Sequence, residues 1–308
     1  VSVRAAVIGV GYLGTLHAEK YASLEGVELV AVVDLDRVKA ETLATRLGTR
    51  VEPEVQGLVG RVDCVTIATP TPVHFDAARF FLESGIDVLV EKPITATSAE
   101  GRALVDLAAA RGRILQVGHL ERFNPAVRAM LGVIDRPRFI ECDRLAPFGE
   151  RGTDVDVVRD LMIHDLDVIL SCVPGDVERI EAVGIPVLSS NVDIANARLR
   201  FAGGCIANVT ASRVALKRER KIRLFQTDTY VSVDYMERRV RVCRRRDVDG
   251  RAEITVEQQE FNEADALRDE VESFVASVRS RNAPVVDGRS GLRALELAER
   301  INGCMETV

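Results

Sequence analysis

The sequence predicts an α/β protein in two parts: a doubly wound parallel sheet, then an α+β domain built on one large, mainly antiparallel open sheet. Three observations predict it. Short apolar runs alternate with helical stripes from Val3 to Val117, a glycine-rich turn follows the first run, and the pattern changes near residue 120, becoming mostly strand from Val177 to Val256. With 308 residues, 47% of them hydrophobic, the chain is long enough for two cores, placed here in residues 1–120 and 121–308.

Val3 to Val10 is an apolar run bounded by glycine and reads as a buried strand. Gly9, Gly11 and Gly14 then form G-x-G-x-x-G around Tyr12 and Leu13, and Leu13, Leu16 and Leu24 begin a helical stripe. In a strand–turn–helix of this kind Gly9 makes the tight bend, Gly11 lets the backbone approach a pyrophosphate, and Gly14 lets the helix pack closely, while the helix N-terminus supplies free N–H donors. A second strand, Val27 to Val33, ends in Asp34, an acid placed to accept from both ribose hydroxyls. A glycine turn with a purely structural role has no need of that acid, so the first part reads as a Rossmann dinucleotide-binding domain. Asp34 would repel a 2′-phosphate, so the expected cofactor is NAD; Arg37 leaves NADP open.

After Asp34, Ala40, Leu43, Ala44 and Leu47 mark an amphipathic helix ending at Gly48. Cys64 to Ala68, Ile86 to Val90 and Ile114 to Val117 read as strands, Val73 to Glu83 and Ser98 to Arg111 as the helices between them. The unusual residues fall at the carboxyl ends of these strands: Thr69-Pro70-Thr71-Pro72, Glu91-Lys92-Pro93 and Gly118-His119. Open α/β sheets bind their ligands at that edge. The bland alternative for the prolines is loop punctuation and for Lys92 a surface lysine, but a lysine between Val88-Leu89-Val90 and a proline is an unusual place for a surface charge.

In the second part, Asn124-Pro125 reads as an N-cap and first helical residue, Phe139 to Leu145 as a strand, and Asp154 to Cys172 as one long helix with acids in its first turn. Val177 to Val256 is mostly strand, with Ala195, Ala197, Leu199 and Phe201 alternating against Asn196, Arg198 and Arg200, and two helices, Ala264 to Arg279 and Gly291 to Asn302, finish the chain. Seven or eight strands with few helices to cover them imply an apolar sheet face left for a partner subunit, hence a homodimer or homotetramer. The arginines from 238 to 246 read as a solvated strand face. The cluster Arg213, Lys217, Arg218, Arg220 and Lys221 is less regular and stays open as a diphosphate site.

In the long helix Asp160 and His164 are four apart, which in a regular helix puts them on one face, the usual arrangement of a histidine base with an orienting acid. The alternative is an i, i+4 pair that serves packing. Only four histidines exist (17, 74, 119 and 164), and no cysteine or second histidine lies at zinc-ligand spacing, so no metal is expected. The net charge of −6, from 41 basic and 47 acidic residues, argues against nucleic acid as a partner. Six scattered cysteines without C-x-x-C read as reduced thiols; without a leader pattern or an apolar run of roughly 20 residues, the expectation is a soluble, cytoplasmic protein with no membrane partner.

Taken together, GVGYLG, ATPTPVH, VEKP and DLMIHDLD resemble the glucose–fructose oxidoreductase/inositol dehydrogenase/rhizopine catabolism (Gfo/Idh/MocA) family of NAD(P)-dependent sugar oxidoreductases, over the whole chain. The resemblance implies that Lys92 is the catalytic lysine, that Asp160 and His164 are the acid/base pair, and that Thr69, Pro70, His74 and Glu91 line the cofactor site beside Gly9, Gly11, Tyr12, Leu13, Gly14 and Asp34. It also implies that the second domain assembles subunits. VGHLERFNPAV, Arg151 and DVDVVRDLMIHDLDVIL are similar to a branch that oxidises the 3-hydroxyl of UDP-N-acetylglucosamine or related nucleotide sugars for lipid A or surface glycans. Arg122, Asn124, Arg151 and His164 then become the substrate contacts, although that branch carries an apolar residue where this chain has Arg159. An inositol or free-sugar dehydrogenase would use the same catalytic residues, and a non-catalytic dinucleotide sensor would have no need of Lys92, Asp160 and His164 together.

Overall fold

The computed structural model of the chain describes residues 2–149 and 155–307. Two compact units result, one formed by Val1–Leu120 with Asp265–Leu292, the other by Glu121–Ala264 with Arg293–Val308.

In the first unit β1 (Val3–Ile8) leads to α1 (Tyr12–Ser23), β2 (Val27–Val33) to α2 (Arg37–Leu47), and past a short β3 (Arg50–Val51), β4 (Cys64–Ile67) leads to α3 (His74–Glu83). β5 (Asp87–Glu91), α4 (Ser98–Arg111) and β6 (Leu115–Gly118) complete the alternation. All pairings among these strands are parallel, in the order β3-β2-β1-β4-β5-β6. β4, β5 and β6 are buried along their whole length, because a sheet covered on both sides needs uninterrupted apolar runs. α4 starts at a capping box in which Thr97 and Glu100 satisfy each other's backbone N–H groups.

α1 departs from its expected stripe. It buries Gly14, His17, Ala18 and Tyr21 while Leu13 stays exposed. Small residues let the helix sit close to the sheet, and the two large buried ones bring polar atoms that find partners: His17 Nε2 with Glu91 Oε1 at 2.7 Å, Tyr21 Oη with Thr66 Oγ1 at 2.8 Å.

The second unit opens with α5 (Pro125–Leu131), capped by Asn124, and β7 (Phe139–Leu145). The expected helix from Asp154 begins later. Asp154 lies outside the described residues, Asp156 accepts from the Val158 and Arg159 N–H groups, and a π turn, Val158–Met162, precedes α6 (Ile163–Cys172). Then come β8 (Val177–Ile185), β9 (Ile194–Phe201), β10 (Ile206–Ser212), β11 (Glu219–Gln226), β12 (Thr229–Asp234), β13 (Arg239–Val248) and β14 (Arg251–Glu260). Two helices, α7 (Ala266–Ser280) and α8 (Gly288–Cys304), precede a terminal β15 (Met305–Thr307). Among the described residues the sheet has nine strands, in the order β14-β13-β12-β11-β7-β10-β9-β8-β15, antiparallel except for β7 with β10 and β8 with β15.

One face of this sheet packs Ile140, Leu199, Val209, Leu224 and Val233 against α5, α6 and the second half of α8. The opposite face is not the apolar surface expected for a partner subunit. It carries Glu141, Asp143, Arg198, Lys221 and Arg223, with Arg223 bonded to Glu141 at 3.0 Å and Arg198 to Asn208 at 2.9 Å across neighbouring strands. The period-two alternation that fills the core sends the intervening residues to the other side, where charged side chains surround the ring cluster Phe139, Phe225 and Tyr230, so the oligomer expectation loses the support of a broad apolar face.

The expected domain 121–308 also differs from what is observed, since 265–292 belongs with the first unit. α7 buries Val271, Phe274, Val275 and Val278 in the core of Val3, Ala5, Val7 and Tyr21, which gives its apolar stripe a home beneath the parallel sheet. None of the six cysteines is in a disulfide; Cys64, Cys142 and Cys205 are buried and Cys304 is exposed.

Candidate functional site

The carboxyl edge of the parallel sheet begins with the glycine turn. Gly9 has φ +85, and a Cβ there would come within 2.7 Å of the Ala68 carbonyl oxygen; on Gly14 it would come within 1.8 Å of the Gly9 oxygen. Gly11 is different: nothing lies within 4 Å of where its Cβ would stand. Two glycines therefore serve close packing, and the third leaves a backbone cradle open at the N-terminus of α1, flanked by exposed Tyr12 and Leu13.

Asp34 follows β2. Its carboxylate is aimed by two backbone donors, Val10 N–H at 2.6 Å and Asp36 N–H at 2.8 Å. Leu35, the next residue, is fully exposed and offers no positive charge. The acid is thus tied to the glycine turn itself, with lone pairs left for hydroxyl donors.

Past β4 and β5, His74 joins two loops. Its Nδ1 lies 2.9 Å from the Pro93 carbonyl and its Nε2 2.9 Å from the Thr69 carbonyl. Burial pushes its pKa below the usual histidine value against the pull of those carbonyls, so a neutral ring donates to one of them. Lys92 follows β5 directly, in a cis peptide with Pro93. Glu91, beneath it, places Oε1 on His17 and accepts the Lys92 N–H on Oε2 at 3.3 Å. Burial opposes its charge, but the hydrogen bond and charge of His17 and the nearby Lys92 outweigh it and hold the carboxyl below its usual range. Glu270 of α7 completes a buried trio whose nearest ligand-type atoms all lie within 4.8 Å of one another.

In the second unit Asp160 sits in the π turn and His164 in the first turn of α6. Ile163 N–H reaches back to the Val158 carbonyl, five residues away, so the relation of Asp160 to His164 is set by this wider turn rather than by regular helix spacing. The following acids anchor the helix. Asp165 receives Arg144 at 2.7 and 2.9 Å; Arg144 also reaches Glu121 at 3.2 Å and lies over the Tyr235 ring. Arg159 lies 3.9 Å from both Asp156 and Glu299, which accommodates a charge at that position.

Of the substrate residues expected from sequence, Arg122 is mostly buried and pairs with Asp167 at 3.5 Å. Asn124 is committed to the fold: its Oδ1 accepts the Ala126 N–H and its Nδ2 donates to the Tyr235 carbonyl. Arg151 lies outside the described residues. The cationic cluster does not form a common site. Arg213 is buried against Asp193 and the Val192 carbonyl, while Lys217 and Lys221 share Glu219. His17 and Glu270 were missed by sequence reasoning; their signal was an ionisable residue on an otherwise buried helix stripe.

The family described as "Oxidoreductase family, NAD-binding Rossmann fold" matches residues 3–119, and the "GFO/IDH/MocA C-terminal domain" matches residues 127–232. The chain is 35% identical to UDP-N-acetylglucosamine 3-dehydrogenase of Acidithiobacillus ferrooxidans over 99% of this chain and 98% of that one. A solved structure of that enzyme superposes with a TM-score of 0.93 over 99% and 98% of the two chains. Scyllo-inositol 2-dehydrogenase (NAD(+)) of Bacillus subtilis is 32% identical over 69% and 68%. Levoglucosan dehydrogenase, solved with NADH, shares the fold at a TM-score of 0.88 and 17% identity over 99% and 97% of the chains.

Proposed function

This chain belongs to the GFO/IDH/MocA family of NAD-binding oxidoreductases, and from that premise we propose that it oxidises the 3-hydroxyl of a UDP-N-acetylhexosamine of the UDP-N-acetylglucosamine type. The observation that carries the substrate is the end-to-end likeness to a UDP-N-acetylglucosamine 3-dehydrogenase, at 35% identity and a TM-score of 0.93. The residues present fit NAD: the open cradle at Gly11, the N-terminus of α1 and the backbone-aimed Asp34 suit a pyrophosphate and an unphosphorylated ribose. NAD, when bound, supplies the hydride acceptor.

The chain's own residues supply the rest. His164, oriented by Asp160, takes the proton from the sugar hydroxyl, and Lys92 stabilises the alkoxide that develops, because oxidising an alcohol requires a base active near neutral pH and a fixed cation where charge grows. Arg122 and Arg151 hold the diphosphate. With this reading goes a cytoplasmic homo-oligomer that acts on precursors of lipid A or surface glycans. Inositol dehydrogenation is the second reading, supported by relatives such as the Bacillus subtilis enzyme.

The test follows reduced-nicotinamide absorbance with UDP-N-acetylglucosamine, UDP-N-acetylgalactosamine, N-acetylglucosamine and myo-inositol, each with NAD and NADP. Inositol or the free sugar turned over as well as the UDP form would overturn the substrate. His164→Asn and Lys92→Ala should each lower kcat by roughly 10²–10⁴-fold with NADH binding intact. Wild-type turnover in both would put the chemistry elsewhere.

A further inference from the structure

α7 carries one residue that does not suit its buried stripe. Between Leu267, Val271 and Phe274 stands Glu270, fully buried, and among the described residues neither of its carboxylate oxygens has a hydrogen-bond partner. The groups that face it are His17 and Tyr21 from α1 and Glu91, next to Lys92, from the end of β5. An apolar residue would pack there without cost, whereas a buried ionisable group is costly and concentrates at functional sites. The chain returns to the first unit after Ala264 and brings this carboxyl beneath the lysine turn.

We propose that Glu270 is a positioning residue that acts through Glu91 to hold the Lys92 turn in its working conformation. Glu91 is the intermediary because its two oxygens have separate duties, one on His17 at 2.7 Å and one on the Lys92 N–H at 3.3 Å. There is little room for it to turn on the far side, since even a Cβ on Gly118 would lie 2.9 Å from Oε2. Glu270 closes the remaining side, and its own backbone is pinned where Gln116 Nε2 donates to its carbonyl at 3.3 Å. Two carboxyls this close and this buried do not both ionise. Glu91 has the stabilising partners, so Glu270 holds the proton; burial and the charge on Glu91 both push it that way.

The trio also has the composition of a divalent-metal site, but two of its members, His17 and Glu91, are already hydrogen-bonded to each other. Ligands about 2.1 Å from an ion stand roughly 3.0–3.4 Å apart, longer than the 2.7 Å between His17 and Glu91. The proposal rests on Lys92 being the lysine that stabilises the alkoxide, and its test separates the two.

Glu270→Gln keeps the shape and neutrality of the protonated acid, and Glu270→Leu keeps the bulk without polar atoms. With the UDP-sugar substrate, Glu270→Gln should hold kcat within about two-fold of wild type. Glu270→Leu should lose at least about ten-fold in kcat with KM for NAD little changed, while its Tm equals or exceeds that of wild type. A purely structural residue would give the opposite, Leu as active as wild type, and that result overturns the proposal; so does Gln falling as low as Leu. A wild-type enzyme inactive on every sugar would sink the functional reading instead. The cluster is then judged by the infrared difference spectrum of wild type minus Glu270→Gln at neutral pH, which should show the C=O stretch of a protonated carboxyl. Its absence, or one divalent metal per chain by elemental analysis, overturns the proposal without reference to activity.

Discussion

Gly11→Ala and Gly14→Ala should separate cofactor binding from folding within one turn. Gly11 has φ −62 and ψ −164, an extended conformation open to alanine, and nothing lies within 4 Å of the added Cβ. The loss of unfolded-state freedom then favours the variant by about 0.4–1 kcal/mol, and the poorer N-cap at the start of α1 costs roughly as much, so the net change is within about 0.5 kcal/mol. The methyl group nonetheless occupies the space through which a pyrophosphate approaches the backbone, and NADH affinity should fall by at least about ten-fold, or ~1.4 kcal/mol. At Gly14 the new Cβ would stand 1.8 Å from the Gly9 oxygen, so α1 must withdraw or the turn must open. Overpacking of that kind costs about 1–3 kcal/mol or more, a fall in Tm of several degrees. Thermal melts without cofactor and NADH fluorescence titrations read both quantities. Wild-type NADH affinity in Gly11→Ala would refute the cradle, and a Tm loss in Gly11→Ala matching that of Gly14→Ala would refute the division of roles.

Asp34→Ala should narrow the preference for NAD over NADP without abolishing turnover, and an unchanged ratio of kcat/KM values would remove Asp34 from ribose recognition. Arg144→Met leaves Asp165 buried without its bidentate partner and should cost about 3–5 kcal/mol in urea unfolding, part of it recovered by adding Asp165→Asn. Asp193 accepts three backbone N–H groups and the Ser189 hydroxyl; although burial opposes its charge, these bonds hold its carboxyl down to about 2, below the ordinary 3.8. A depressed folded-state pKa contributes stability that is complete above the unfolded value and lost as pH falls through the folded one, here from about pH 4 to about pH 2. Urea unfolding across that range should show a shallower acid slope in Asp193→Asn than in wild type.

The elements that could be read from sequence are those whose burial is uniform. β4 and β5 are buried along their length around the apolar runs Cys64-Val65 and Val88-Leu89-Val90 because helices cover both faces of the sheet, and β9 alternates because one of its faces is polar, so composition and period name them directly. Asp34 was legible for another reason: its distance from the glycine turn is set by the length of one crossover, which sequence counts faithfully. The π turn at Val158–Met162 was not, since one extra residue in a turn leaves the apolar pattern on either side intact and changes only the angle at which Asp160 leaves the helix. The return of α7 to the first unit was hidden too, because an amphipathic stripe records that a helix packs and says nothing of which core receives it. His17 and Glu270 are not legible from the apolar pattern. Each occupies a buried helix position where the periodic rule asks for an apolar residue, and each interrupts its stripe. Such an interruption costs stability unless a partner or a proton neutralises it, so two of them that converge on the carboxyl beside Lys92 are better read as a constraint on that lysine than as noise in the pattern.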